Sequence, residues 1–146
     1  MSAPPPSDEL VRLMVVATPW ARALGFGVQS AGEARARLSV EWREDLVGDP
    51  QTGVIAGGVV SALLDHACGA SVMAALSAPQ VIATLDLRID YMRGAVPRRT
   101  LYADAHCYKV TRSVAFVRAV AFEDGAGDPV ANATAAFMLT GRPRTW

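Results

Sequence analysis

One long stretch, from Val54 to Leu76, most constrains how this chain can fold. It is long enough for a helix of about five turns, and its residues are apolar or small on every side except for Asp65 near the middle. A helix that is apolar all round must be enclosed by lipid or by other protein. Asp65 and His66 would lie near the centre of a bilayer, and no Lys or Arg closely flanks either end. The stretch therefore predicts a buried helix in a soluble protein, with no membrane partner.

Length and composition predict a single domain over residues 7–146, after a disordered lead-in over residues 1–6. Of the 146 residues, 51% are hydrophobic, which is enough to build a core. The formal net charge is zero, so the chain lacks the basic surface of a non-specific nucleic-acid binder. Cys68 and Cys107 stand in apolar contexts and predict packed free thiols in a reducing compartment. The N-terminus carries no basic signal segment, and we expect a cytoplasmic protein.

The residues before the central stretch predict two short helices and two strands. Apolar side chains recur at helical spacing over residues 8–17, and Pro19 is well placed to begin a second turn that ends near residue 24. A strand follows over residues 25–31. Alternation with period two over residues 34–40 predicts another strand, with Ser39 on its solvent face.

The residues on either side of the helix complete the predicted sheet. Residues 42–52 mix charges with turn residues and predict a loop, and residues 123–129 predict a polar turn. In the first strand after the helix, alternation places Thr84 on the face opposite Leu85. The four strands predicted after the helix cover residues 81–91, 101–110, 113–122 and 130–140. We expect these four to be consecutive antiparallel neighbours, so that about five or six strands curl round one buried helix.

Two blocks of sequence, taken together, resemble the hotdog fold, and more closely its phenylacetate-type (PaaI-like) acyl-CoA thioesterases. The blocks are Gly53, Gly57-Gly58-Val59, Leu63-Leu64-Asp65 and Gly69, then Thr84-Leu-Asp86-Leu and Asp90-Tyr91-Met92-Arg93. The resemblance covers roughly residues 24 to 140. It implies an α+β fold in which an antiparallel sheet wraps one long helix. It also implies a homodimer or homotetramer that hydrolyses an acyl-CoA thioester at an interface between chains, with an acyl group that the sequence does not identify.

Thioester hydrolysis requires donors for the charge that develops on the carbonyl oxygen, and a base or nucleophile at the carbonyl carbon. The amides of Gly57 and Gly58 at the start of the helix can supply the first, although two glycines can also simply make a tight entry to the helix. Asp65 can supply the second, as nucleophile or general base; a structural pair with an arginine is the alternative. Ser61, one turn earlier, flanks Asp65. The resemblance implies that Thr84 positions the attacking water or the acid; a purely structural threonine is the alternative.

The spacing between Gly58 and Asp65 predicts how the chains assemble. The two residues are seven apart, so they share a helix face but lie about 10 Å apart along the axis. One carbonyl group cannot meet both from the same helix. The donor of one chain is therefore expected to work with the acid of another, in a two-fold dimer.

The chain departs from the family pattern beside the helix. Relatives often carry a His directly before the two glycines and an Asn six residues earlier, where this chain has Ala56 and Pro50. Gln51 lies next to the Asn position and can substitute for it in part. These departures keep open a second function, a non-hydrolytic acyl-CoA-binding or regulatory module. A third reading, a purely structural domain, predicts solid packing around Asp65.

The remaining candidates concern the coenzyme and the histidines. Arg93 and Arg112 lie near predicted strand ends and are candidates for binding coenzyme A phosphates, because a guanidinium group can hold a phosphate through two N–H groups. His66 points about 100° away from Asp65 on the helix and is expected to be packed. The sequence contains no zinc constellation, nucleophile elbow or Walker-type loop, and we expect neither a metal nor a cofactor.

Overall fold

The computed structural model describes residues 8–124 and 127–143, which form an α+β fold; the predicted lead-in over residues 1–6 lies outside them. The helices are α1 (Asp8–Ala17), α2 (Pro19–Leu24) and α3 (Gly57–Ala75). The strands are β1 (Phe26–Gly32), β2 (Arg35–Val40), β3 (Val47–Asp49), β4 (Val54–Ile55), β5 (Gln80–Tyr91), β6 (Leu101–Val110), β7 (Val114–Glu123) and β8 (Ala131–Pro143).

Six of the strands form one antiparallel sheet, in the order β1-β2-β6-β7-β8-β5. The predicted order of the last four strands is wrong for β5, which pairs with β8 at the sheet edge and not with β6. A hairpin loop usually has two to five residues, whereas residues 92–100 connect β5 to β6. The amides of Met92 and Arg93 donate to the carbonyl of Val130 (2.8 and 3.3 Å). After β5 the connection therefore runs past the start of β8, where these hydrogen bonds hold it.

Helix α3 lies against the sheet, mainly against β2, β6 and β7. Its length and mean hydropathy of 1.4 would suit a membrane span, but 61% of that window is buried inside the protein, as expected for a core helix. It begins at Gly57, later than the apolar stretch does. The first two residues of that stretch, Val54 and Ile55, form β4 and pair with β3 in a small second sheet, and Ala56 separates them from the helix.

Two local expectations fail in the N-terminal half. Ser39, predicted on the solvent face, is only 6% exposed, and its hydroxyl accepts a hydrogen bond from the Gln29 side chain (2.8 Å). The predicted loop over residues 42–52 contains a single 3-10 turn, Glu44–Leu46, and strand β3. In both places a neighbouring segment supplies the hydrogen-bond partner, which local alternation does not reveal.

Helix α1 matches its predicted bounds and packs on β1, with further contacts to α2 and α3. Its buried side chains are Val11, Met14 and Val15, whereas Leu13 and Val16 are exposed. The N-terminal helix is therefore part of the core near the middle of α3.

Candidate active site

The first turn of α3 presents two backbone amides to solvent. Ala56 precedes the helix and provides no side-chain cap, so the N–H groups of the first turn rely on other acceptors. Gly57 and Gly58 are both exposed, and within residues 8–124 and 127–143 neither amide donates to a protein acceptor. A Cβ added at Gly58 would meet no atom within 4 Å. The positive end of the helix dipole is thus open to a polarised oxygen.

Asp65 lies two turns further along α3 and is half-buried. The hydroxyl of Thr84 donates to its Oδ1 (2.9 Å). In the described part of the chain no arginine pairs with Asp65, so the structural ion pair is not formed there. A cavity of about 170 Å³ lies beside it, lined also by Gly69 and Phe137. The solid packing expected of a purely structural domain is therefore absent.

A β-bulge at Leu85 brings Thr84 to Asp65. Thr84 pairs with Phe137 and Asp86 with Ala136, so Leu85 is an extra residue on β5. An extra residue shifts the alternation of side chains by one position, so the residues before and after the bulge no longer follow one even-odd pattern. Thr84 therefore faces α3 together with Tyr91, and not opposite to it as strict alternation predicts. Leu85 itself is 57% exposed.

The two candidate groups open into separate cavities of one chain. Gly57 lines a cavity of about 350 Å³ together with Val60 and Tyr91. Asp65 lines the cavity of about 170 Å³, and the two share no lining residue. A single chain thus presents two separate groups, backbone donors at the start of α3 and a carboxylate near its middle, which we call the candidate half-sites.

Comparison with known proteins identifies the family. The profile of the Thioesterase superfamily matches residues 52–129. This match covers more than half of the chain and includes Gly58, Asp65 and Thr84. The chain is a member of the Thioesterase superfamily.

Individual relatives agree with this membership. A candidate esterase of Halobacterium salinarum is 36% identical over 94 residues, which are 62% of this chain and 61% of that protein's length. A solved structure from Pseudomonas aeruginosa is 38% identical over 91% of this chain and 98% of that chain, with a TM-score of 0.82. A mutant of phenylacetic acid degradation protein PaaI from Thermus thermophilus is 26% identical over 82% of this chain and 97% of that one, with a TM-score of 0.72. The hotdog fold is confirmed, and the PaaI match agrees with the phenylacetate-type resemblance.

In this Thioesterase superfamily member, the side chain of Ser61 fixes the first turn of α3 and makes no hydrogen bond to the Asp65 carboxylate. The Ser61 hydroxyl donates to the carbonyl of Gly57 (2.9 Å). The hydroxyl of Tyr91 lies 2.6 Å from Ser61 Oγ and donates to the same carbonyl (3.0 Å). Tyr91 was missed as a site residue, since nothing in a strand pattern shows that its hydroxyl reaches the helix start. Together the two hydroxyls hold the peptide group between Gly57 and Gly58, whose N–H faces solvent.

Arg93 has a structural role in this chain, beside its predicted contact with a phosphate. Its Nη1 and Nη2 donate to the two carboxylate oxygens of Glu123 (3.0 and 2.5 Å), and further bonds reach the carbonyls of Gly94 and Asp128. Glu123, predicted in a polar turn, ends β7 and is fully buried. The N–H groups of Arg93 thus have protein acceptors, but Arg93 also lines the cavity of Gly57, and its binding of a phosphate stays a prediction.

The other predicted binding residues lie away from both half-sites of this chain. Gln51 is exposed in the turn between β3 and β4 and lines a different cavity, with Trp42 and Arg98. Arg112 is exposed in the turn between β6 and β7, and its binding of a phosphate stays a prediction. The methyl side chain of Ala56 supplies no hydrogen-bonding group at the helix start.

Nucleophile and metal chemistry can be judged from the remaining polar groups. Burial, with a smaller contribution from Asp65, raises the pKa of the Cys68 thiol to about 12; a thiol with this pKa is not a nucleophile at neutral pH. The His66 ring packs edge-on against Phe26 (5.5 Å), as expected. Among the residues that the structure describes, no cluster of His, Cys, Asp and Glu side chains could hold a metal ion.

Proposed function

We propose that the protein is a hydrolase that cleaves an acyl-CoA thioester to a free acid and coenzyme A, at a site shared by two copies of the chain. The observation that carries the proposal is the division of the required groups between two half-sites of one chain. The amides of Gly57 and Gly58 from one copy polarise the carbonyl oxygen. Asp65 from the other copy, held by Thr84, attacks the carbonyl carbon directly or through water.

In the water-mediated form, Asp65 takes a proton as the water oxygen bonds to the carbonyl carbon. The C–S bond then breaks, and the proton passes to the leaving thiolate. In the direct form, the carboxylate bonds to the acyl carbon as the C–S bond breaks and coenzyme A leaves as a thiolate, which gives a mixed anhydride. Water then hydrolyses this anhydride, which releases the free acid and restores Asp65, and a proton from the water neutralises the thiolate. Both routes use the same donors on the carbonyl oxygen.

The free edge of β5 supports the two-fold dimer of this proposal. Tyr91, Leu85 and Val81 are large apolar residues of this strand and are 50%, 57% and 40% exposed. A long edge strand presents a row of unpaired backbone groups, which can pair with another chain, and these apolar residues alternate along it with the charged residues Asp86, Arg88 and Asp90. Pairing of two β5 strands would join the sheets of two copies. A further pairing of dimers into a homotetramer is compatible with this arrangement.

Mixing two inactive variants tests the shared site. Asp65→Asn removes the acid, and Gly58→Val fills the open space at the donors; each variant alone is expected to be inactive. A mixed dimer contains one site with both changes and one site with neither, so random re-association should restore roughly a quarter of wild-type activity. If mixed dimers form but do not regain activity, the Gly58 donor and the Asp65 acid of one site must belong to the same chain.

The non-hydrolytic binder remains the second candidate, favoured by the absence of a polar side chain at Ala56 and Pro50. Assays of the wild type on a panel of acyl-CoAs separate the two functions, since tight binding without turnover would support the binder. In that case, turnover by the Ala56→His variant would explain the loss of activity.

We also propose a cytoplasmic location, which the two buried free cysteines, Cys68 and Cys107, support.

A further inference from the structure

The cavity beside Asp65 is apolar in most of its lining. Helix α3 contributes Gly69 and Met73 to one wall, and α1 contributes Met14 and Val15 to the facing wall. Such a lining suits a hydrocarbon group and offers few partners to an amide or a phosphate. Because Asp65 lines the same cavity, a hydrocarbon bound there would lie next to the proposed reacting carbon.

Helix α1 is held in place by hydrogen bonds to a bulge in β1. Gln29 is the extra residue of that bulge, and Arg12 donates to the carbonyl oxygens of Val28 and Gln29. At the start of the helix, Asp8 accepts a hydrogen bond from the Ala31 amide (3.0 Å). These bonds hold α1 against β1, and α1 also contacts α3, so the wall that α1 contributes to the cavity is anchored in the fold.

The volume of the cavity limits what it can hold. An apolar cavity of about 150 Å³ can hold a benzene molecule, so about 170 Å³ corresponds to roughly six carbon atoms. Gly69 lies in the wall that α3 contributes to the cavity. A Cβ added there would lie 3.6 Å from Phe137 Cε1 and 3.9 Å from Ile82 Cδ1, which are ordinary van der Waals distances. One methyl group thus fits at Gly69 without displacing its neighbours, and it takes space from the cavity.

From this geometry we infer that α1 forms the specificity wall of the enzyme, that is, the side of the cavity that selects the length of the acyl tail. The apolar acyl tail of the substrate enters the cavity between α1 and α3, and Met14 and Gly69 set its length at about six carbon atoms. This inference rests on the proposed thioesterase function and names its substrate class, medium-length apolar acyl-CoAs.

Three variants assayed on straight-chain acyl-CoAs, from acetyl- to dodecanoyl-CoA, test the inference through kcat/KM. Each methylene buried is worth about fourfold in this ratio. Met14→Ala lengthens the cavity and should raise the preference for octanoyl- over hexanoyl-CoA by up to about sixteenfold, because these substrates differ by two methylenes. Gly69→Ala shortens it and should lower the preference for hexanoyl- over butanoyl-CoA about fourfold. Leu13→Ala on the exposed face of α1, where Leu13 is 56% exposed, should leave the profile unchanged.

The outcomes separate the inference from the function on which it rests. A wild type without turnover of any acyl-CoA contradicts the proposed function. An active wild type whose profile is the same in Met14→Ala and Gly69→Ala overturns the specificity wall alone. If Met14→Ala does not fold, Val15→Ala removes fewer atoms from the same wall, and the same shift toward longer tails is expected of it.

Discussion

Replacing Asp65 with Asn is expected to lower kcat for thioester hydrolysis about a thousandfold, with a change in KM of less than about threefold. Asn has the shape of Asp and still accepts the hydrogen bond from Thr84, so the site keeps its geometry. The variant loses only the carboxylate that attacks the carbonyl carbon or takes a proton from water. Steady-state kinetics on the best acyl-CoA of the wild type measure the effect.

Asp86→Asn is the matched control for this change. Asp86 is an exposed acid on β5, two residues from Thr84, and the same loss of charge there should leave kcat within about twofold of the wild type. A kcat for Asp65→Asn as high as that of the control would remove Asp65 from the mechanism. A large rise in KM with unchanged kcat would instead assign Asp65 to substrate binding.

The helix and the separation of its two candidate groups could be predicted because they are local features of the sequence. An all-round apolar stretch can form a stable helix only where other elements enclose it. The spacing between Gly58 and Asp65 then fixes their separation along that helix, whatever the surrounding sheet does. The contact between Thr84 and Asp65 was expected from the family resemblance, and strand alternation argued against it.

Features that depend on distant segments could not be predicted. The bulge at Leu85 depends on pairing with β8, about 50 residues later in the chain, and it reverses the faces that simple alternation assigns. The pairing of β5 with β8 is equally non-local. The cavity beside Asp65 needs α1, a helix from the other end of the sequence, to form its wall. None of these contacts leaves a periodic signal.

The pair of Arg93 and Glu123 was also hidden, because a charged residue beside a turn is usually solvated. Here the carboxylate of Glu123 is fully buried and accepts bonds from Arg93 and from the amide of Val96 (2.5 Å). The pair therefore ties the connection after β5 to the end of β7. This role is structural, and its removal should affect stability more than chemistry.

Arg93→Met is expected to lower the free energy of unfolding by about 3 kcal/mol near neutral pH, because it leaves the buried Glu123 carboxylate without its cation. Arg88→Met, on the preceding strand β5, is the matched control. The side chains of Arg88 and Asp90 form an exposed pair, 74% and 62% accessible, so the control should change stability by less than about 0.5 kcal/mol. Urea denaturation at one fixed protein concentration measures both variants.

The pH dependence of stability distinguishes a lost ion pair from simple loss of packing. Burial alone raises the pKa of Glu123, but hydrogen bonds from Arg93 and Val96 and the charge of Arg93 outweigh it and hold the pKa below its ordinary value of 4.5. In the wild type, Glu123 therefore stabilises the fold above pH 4.5, and this stabilisation is lost as the pH falls through the lowered pKa.

In Arg93→Met the sign of this pH dependence should reverse. Without Arg93, only the backbone amides of Val96 and Glu123 oppose burial, which is the largest single influence on this pKa. We therefore expect the pKa of Glu123 to rise above its ordinary value, so that the folded state binds a proton more tightly than the unfolded chain does. Stability of the variant is then lost as the pH rises from 4.5 through the raised pKa, and is recovered on acidification. The difference between wild type and variant should thus be smaller near pH 4 than near pH 7. A difference that does not change with pH would mean that Arg93 stabilises the fold by packing its side chain, and not by neutralising Glu123.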